Sequence, residues 1–402
     1  SPLARAARLE RTRRAHVIMS FFMMSLAGIY IHIPFCRARC SYCDFATGTY
    51  DAPLAERYVR ALTREIRAFP ALENETREAD TIYFGGGTPS LLSPAQVETI
   101  LEAVHERFRI SASAEVTMEM NPGRLTPEIL REFQHLGVTR ASFGAQTFDD
   151  RELSQLGRTH TAEDVRLTIN YLREAGYDNV SFDLIAGLPR QTLQDWSRNL
   201  DEALKLRPEH LSFYLLEVHE GTPLAEQIRR GRLPLPDDDL AAEMYRLMLD
   251  EACGAGYTHY EISNLARPGF ESRHNSKYWL GHPTYGFGCS AHSFDGELRR
   301  WSNERDAARY TELIEEGRSP LVESLELSQR DAQAEAVFLG LRLLRGISLR
   351  EHRARFGVDL RKERADDLSR LAEAGLIEIR DDLLKLTRTG ALLSNEVFAT
   401  FV

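Results

Sequence analysis

Along the chain, short apolar runs rich in β-branched and aromatic residues alternate with longer stretches whose apolar positions recur every three or four residues. The first pattern is that of strands and the second that of amphipathic helices. Strands are predicted at 28–33, 81–84, 114–118, 139–143, 179–184 and 210–215, and helices between them at 54–69, 94–107, 127–136, 162–175 and 193–206. Several helices open on Ser, Thr or Asp and close near Gly, residue types that satisfy helix ends. Six β/α units in succession imply a parallel sheet covered by helices. The expectation is an α/β fold, an incomplete (β/α)6 TIM-like barrel over 28–235, with chemistry on the loops at the C-terminal strand ends.

Past residue 215 the rhythm changes. A Pro- and Asp-rich joint at 234–239 leads into a long helix through Tyr257 and then a Gly- and aromatic-rich stretch at 274–301, so 236–320 reads as a helical and irregular connection. From 321 to 402, helices at 333–344, 348–356 and 360–374 precede two short strands at 376–379 and 383–386, a winged-helix-like pattern. The helix in the recognition position mixes Arg361, Lys362, Arg364 and Arg370 with Glu363, Asp366, Asp367 and Glu373, which suits a structural or docking domain better than a DNA reader.

Charge supports that reading: 50 Lys and Arg against 60 Asp and Glu give a net −10, so no nucleic-acid partner is expected. Residues 1–27 form a basic leader in which five arginines precede an apolar run from Val17 to Leu26. Cleavage of that run as a secretory signal would leave a cysteine cluster almost at the new terminus, so we read the leader as a disordered tail or over-long start. No other segment approaches the roughly 20 apolar residues of a spanning helix. A cytoplasmic protein without a transmembrane segment is expected.

Of the 5 cysteines, Cys36, Cys40 and Cys43 crowd into one C-x3-C-x2-C run leaving the first strand. Three thiolates leave a zinc ion one ligand short unless a distant His or Cys289 joins them, whereas a [4Fe-4S] cube takes three and keeps one iron open. Arg37 and Arg39 are expected to favour thiolates. Gly85-Gly86-Gly87-Thr88-Pro89 follows the second strand and lets backbone approach a ligand, but no Gly-Lys-Ser/Thr follows it, so it is not a P-loop. Polar residues then recur at strand ends: Glu119 before Asn121-Pro122-Gly123, Gln146, Asp183 and Glu217. Capping alone does not require a polar group at every strand end.

Taken together, Tyr30-x-His32-Ile33-Pro34-Phe35-Cys36-x3-Cys40-x-Tyr42-Cys43 resembles the radical SAM enzymes, and within them the oxygen-independent coproporphyrinogen III oxidase branch. The resemblance runs from Gly28 to the C-terminus. It implies a [4Fe-4S] cluster on the three cysteines and S-adenosylmethionine on the open iron, cleaved on reduction to a 5′-deoxyadenosyl radical, and hence an electron donor as partner. By position, Tyr30, Tyr42, Gly86 and Glu119 match contacts to a first S-adenosylmethionine. Gly87, Thr88, Gln146, Arg158 and Asp183 match those to a second, with Arg158 suited to a carboxylate.

Two departures separate this chain from the oxidase: Phe45 stands where the oxidase has a further cysteine, and the roughly 28 residues before the first strand are unlike the oxidase's longer N-terminal extension in composition. Cys43-Asp44-Phe45, Tyr260-Glu261-Ile262-Ser263-Asn264, His274-Asn275-Ser276-Lys277-Tyr278-Trp279 and Gly288-x-x-Ala291-His292-Ser293 instead resemble the heme-chaperone paralogues of that branch. Their resemblance implies heme binding and delivery to acceptor hemoproteins, respiratory ones among them. His274 is the first candidate for heme iron, with Tyr278 and Trp279 against the porphyrin and His292 and Cys289 as competing ligands. Anaerobic decarboxylation of coproporphyrinogen, or another porphyrin-modifying radical reaction, is the alternative.

Overall fold

The computed structural model describes residues 25–70, 77–123 and 125–402, so the expectation for the leader falls almost wholly outside the described residues. Six strands, β1 (Ala27–Ile33), β2 (Arg77–Gly86), β3 (Phe108–Met120), β4 (Arg140–Gln146), β5 (Val180–Ala186) and β6 (His210–Leu215), pair in parallel, each with the next. The five predicted helices lie between them at Ala52–Ala68, Pro94–Arg107, Pro127–His135, Ala162–Glu174 and Leu193–Lys205. Three open on capping boxes, Ser93 with Gln96, Thr161 with Asp164 and Thr192 with Asp195, which satisfy N–H groups that the helix itself leaves unpaired.

Alternation along each strand divides its two faces. Ile29, Ile31, Ile82, Phe84, Met118, Phe143 and Phe182 pack into one apolar core. The intervening positions are polar: Tyr30 and His32, Thr81 and Tyr83, Thr117 and Glu119, Arg140 and Ser142, Ser181 and Asp183, His210 and Ser212. A barrel strand buried on both sides is ordinarily apolar on both, so a polar lumen is a feature that needs a use.

The sheet does not stop at six strands. Thr284–Phe287 adds in parallel to the free edge of β1, followed by His292–Phe294, Arg299–Asn303 and Leu321–Glu326, while Asn264–Ala266 and Thr258–Glu261 extend the β6 side, for twelve in all. Residues 236–320 are therefore built into the barrel rather than connecting it to another body. Met244, Tyr245 and Met248 of the helix Asp238–Gly254, with Phe287 and Tyr310, share the main core. The 274–301 stretch, expected to be irregular, holds the helix Arg273–Leu280 and three of these strands. Gly281, Gly288 and Gly296 take φ of 61°, 97° and 89°, turns that L side chains rarely make, and so separate elements too short to show a period.

The helix Arg273–Leu280 closes the barrel beneath the N-terminal ends of β1 to β3. Its first N–H groups, those of Arg273 and His274, donate to the Glu115 carboxylate. Lys277 Nζ pairs with Asp80 at 2.6 Å and donates to the Leu26 carbonyl.

The C-terminal unit has its own core around Val337, Leu341, Leu371 and Leu384, and a three-stranded sheet of Ile347–Ser348, Ile377–Arg380 and Leu383–Leu386. The single helix expected at 360–374 is two, Leu360–Glu363 and Ala365–Glu373, because Arg364 leaves helical geometry at φ −118° and ψ 31° and its guanidinium donates to the Thr400 carbonyl. The unit joins the barrel at a bridge between Glu261 and Leu343, where the fully buried Glu261 carboxylate accepts two hydrogen bonds from Arg342. Among the described residues, no helix is long and apolar enough to cross a membrane.

Candidate functional site at the barrel mouth

Cys36 ends a two-residue strand, Phe35–Cys36, that pairs with Gly48–Thr49 and so draws the loop carrying Cys40 and Cys43 over the C-terminal end of β1. That loop is pinned from the far side of the barrel: Ser41 N–H donates to the Leu156 carbonyl at 2.8 Å, and Leu224 N–H to the Ser41 carbonyl at 2.8 Å. The three thiols are half-buried and free of disulfides. Burial pushes the Cys36 and Cys43 thiols up. The expected help from Arg37 and Arg39 is slight, since both are exposed and Arg39 donates to the Cys43 carbonyl instead.

The donors that do face the sulfurs come from other strand ends. Thr88 Oγ1 donates to Cys36 Sγ at 3.7 Å and Arg158 Nη1 to Cys40 Sγ at 3.5 Å. Asn121 ties the two together, its Nδ2 donating to Thr88 Oγ1 and its Oδ1 accepting from Arg158. Burial works against the charge on Arg158, yet the surrounding Tyr42, Cys40 and Asp183 hold its pKa above the usual arginine value. Arg158 is thus an internal cation of the mouth and not part of a surface salt bridge. It lines a cleft with Cys40, Thr88, Asn121 and His160 that encloses about 600 Å³ of space open to solvent.

The glycine turn is placed by what it touches. Gly86 has φ 108°, and a Cβ there would meet the His32 ring at 2.5 Å; a Cβ on Gly87 would meet the Phe35 carbonyl at 2.6 Å. Gly86 N–H and the Tyr83 hydroxyl each donate to one oxygen of Glu119, at 3.1 and 2.7 Å. Each oxygen keeps a lone pair, so a diol can still donate to it. Burial raises Glu119 to about 7 and Asp183 to about 6, the latter against a hydrogen bond from Ser212. Tyr30 stacks on Tyr83 and shares a hydrogen bond with His32. Tyr42 packs against Leu156 and Ile185, and Gln146 is buried with φ 66°, a strained backbone of about 1–3 kcal/mol of the kind stored at sites.

The remaining expectations land elsewhere. Glu217 lies two residues beyond β6, 76% exposed, beside His219. His274 is completely buried at the barrel floor, with Nδ1 bonded to Thr81 and Nε2 to Tyr278, and burial lowers its pKa to about 3. Its single lone pair is spent inside the fold, so in this arrangement it offers nothing to heme iron. Trp279 lies under the Arg342 guanidinium, 4.2 Å from the ring centre, at the junction with the C-terminal unit. Cys289 is buried against the Tyr58 hydroxyl, which lies within hydrogen-bond reach of it, and burial pushes its thiol up to about 12. Sequence reasoning missed Arg140, which is 2% exposed on the lumen face with no partner for Nε, and the floor carboxylate Glu115. The signal was present as polar residues at every second position of a strand.

A donor set of three free thiols on one loop, faced by N–H and O–H groups, fits a cube in which each sulfur binds a different iron. Among the described residues no three His, Cys, Asp or Glu side chains converge on a single ion.

Comparison with known proteins agrees with this geometry. The radical SAM superfamily matches residues 30–203 and the HemN C-terminal domain residues 327–393. A Bacillus subtilis (strain 168) protein named heme chaperone HemW is 37% identical over 94% of this chain and 99% of its own. The chain belongs to the HemW family. The HemW of Escherichia coli (strain K12) is 36% identical over 69% of this chain and 74% of its own. The HemW fold here is also that of a solved radical SAM enzyme, the Escherichia coli coproporphyrinogen III oxidase HemN, with a TM-score of 0.81 at 24% identity over 94% of this chain and 90% of that one. At that identity the likeness speaks for the fold alone.

Proposed function

We propose that the protein is a heme chaperone that binds heme, a [4Fe-4S] cluster on Cys36, Cys40 and Cys43, and S-adenosylmethionine, and delivers heme to acceptor hemoproteins. The observation that carries the reading is near full-length relatedness to proteins named heme chaperones. Phe45, in the position where the oxidase has a further cysteine, points the same way. When bound, the cluster and S-adenosylmethionine supply one-electron chemistry. The chain's own part is to hold and orient: Thr88 and Arg158 face the sulfurs, Glu119 accepts from ribose hydroxyls, and Arg158 meets a carboxylate. Tyr30, Tyr42, Gly86, Gly87, Gln146 and Asp183 shape the same mouth. Heme, acceptor hemoproteins and an electron donor are the partners in this reading.

The oxidase reading draws on the second-ligand positions, since Gln146, Arg158 and Asp183 all sit at the mouth. One experiment separates the two. Reconstituted protein is loaded with hemin, mixed with an apo-hemoprotein, and transfer is followed by the acceptor's Soret band; in parallel, reduced anaerobic protein is given coproporphyrinogen III. Heme transfer without porphyrinogen turnover is expected, and catalytic appearance of protoporphyrinogen would refute the chaperone reading. Cys36→Ala should lose cluster iron and sulfide, and unchanged content would remove that cysteine from the ligand set.

A further inference from the structure

Heme needs a ligand for its iron, and three buried histidines inside the barrel cannot supply one. His32, His210 and His274 each have both ring nitrogens in hydrogen bonds inside the barrel. His219 differs. It lies in the loop after β6 with its side chain 43% exposed, and neither nitrogen is within hydrogen-bond distance of a partner. Nδ1 faces Asp44 Oδ2 at 3.7 Å and Nε2 faces Glu217 Oε2 at 3.7 Å.

Its surroundings form a fixed seat. The His219 carbonyl accepts from Thr222 Oγ1 at 2.7 Å and from Thr222 N–H, and Thr222 caps the helix Pro223–Arg229. That helix in turn donates from Leu224 N–H to Ser41, so the histidine loop and the cysteine loop are held as one unit. Asp44 carries Phe45 beside it, an aromatic ring left 64% exposed. Burying such a ring is favourable, and the free protein forgoes that gain. Arg305, an exposed cation, donates to the Asp44 carbonyl at 2.7 Å.

We infer that His219 is the axial ligand that holds heme iron at the barrel mouth, with Phe45 packed on the macrocycle. Asp44 is the positioning residue: a carboxylate at Nδ1–H fixes the tautomer that presents the Nε2 lone pair to the metal. Glu217 is on an exposed side chain and turns into water as the iron arrives, and Arg305 supplies the cation that a propionate requires. The site lies on the same rim as the three cysteines. This inference rests on the heme-binding reading above.

The test is a hemin titration of wild type, His219→Ala, His292→Ala and Phe45→Ser, followed at the Soret band, with far-UV circular dichroism and cluster iron content as controls. His219→Ala should bind hemin at least tenfold more weakly with a displaced Soret maximum, and added imidazole should restore the wild-type band. Phe45→Ser should weaken binding without moving the maximum, and His292→Ala should titrate as wild type. Wild-type behaviour of His219→Ala, or transfer of its expected effects to His292→Ala, overturns the inference and leaves the chaperone reading standing. Failure of the wild type to bind hemin overturns both.

Discussion

The junction between the barrel and the C-terminal unit turns on one carboxylate. Glu261 has no exposed surface, and its Oε1 accepts from Arg342 Nε at 3.0 Å and Nη2 at 2.7 Å, while Oε2 accepts from Ser263 N–H and Asn264 Nδ2. Glu261→Ala removes all four acceptor contacts and leaves a guanidinium over Trp279 without its counter-charge. Breaking a buried pair in this way costs about 3–5 kcal/mol. Arg342 keeps 24% of its side-chain surface in water, so solvent takes up part of the loss and a value near the lower end, about 3 kcal/mol, is expected. Urea unfolding, followed by circular dichroism and tryptophan fluorescence, measures it. Adding Arg342→Met should recover part of the loss, because a Met side chain packs on Trp279 without a charge to compensate. A loss below about 1 kcal/mol for Glu261→Ala, or strict additivity in the double mutant, would refute the reasoning.

Other changes test the mouth and the floor. Gly87→Ala places a methyl against backbone atoms of Ile33 and Phe35, contacts that cannot rotate away, so a loss of about 1–3 kcal/mol and reduced cluster retention through the displaced Cys36 are expected by thermal melt and iron assay. Glu119 is raised to about 7 from an ordinary 4.5, so the folded state binds the extra proton and this group's contribution to stability falls as pH rises from about 4.5 to about 7. Glu119→Gln should flatten that part of the urea midpoint's pH dependence; Asp183, raised to about 6, and Glu65, raised to about 7, keep a slope of the same sign. An unchanged profile would remove Glu119 from the account. His274→Ala leaves Thr81 and Tyr278 without their buried partner and should cost about 1–3 kcal/mol, with hemin affinity unaltered; a selective loss of hemin binding would return the residue to the heme site.

How much of this was legible depends on the length of each element. The barrel strands and helices follow strong periods and explicit caps such as Ser93 and Thr161, and their boundaries agree with the sequence reading within a few residues, apart from longer β2 and β3. The cysteine run and the glycine turn were readable because their spacing is chemical rather than structural. The strands at 284–303 were not, since three to five residues are too few to show alternation among glycines and aromatics. His274 shows the limit of a motif. Residue type named a metal ligand, but a helix under the barrel decides that both nitrogens point at protein. Conversely, sequence resemblance offers Arg158 only as a match to a carboxylate contact, and the fold is what encloses it between Cys40, Gly144 and Asn121.

The helix beneath the barrel has a consequence for traffic. With Lys277 tied to Asp80 and the backbone of Arg273 and His274 tied to Glu115, the lower ends of β1 to β3 are stoppered by an element fastened at several independent points. For the polar groups between β1 and β3, approach from below is closed, and the side left for a ligand to arrive by and depart from is the cysteine rim.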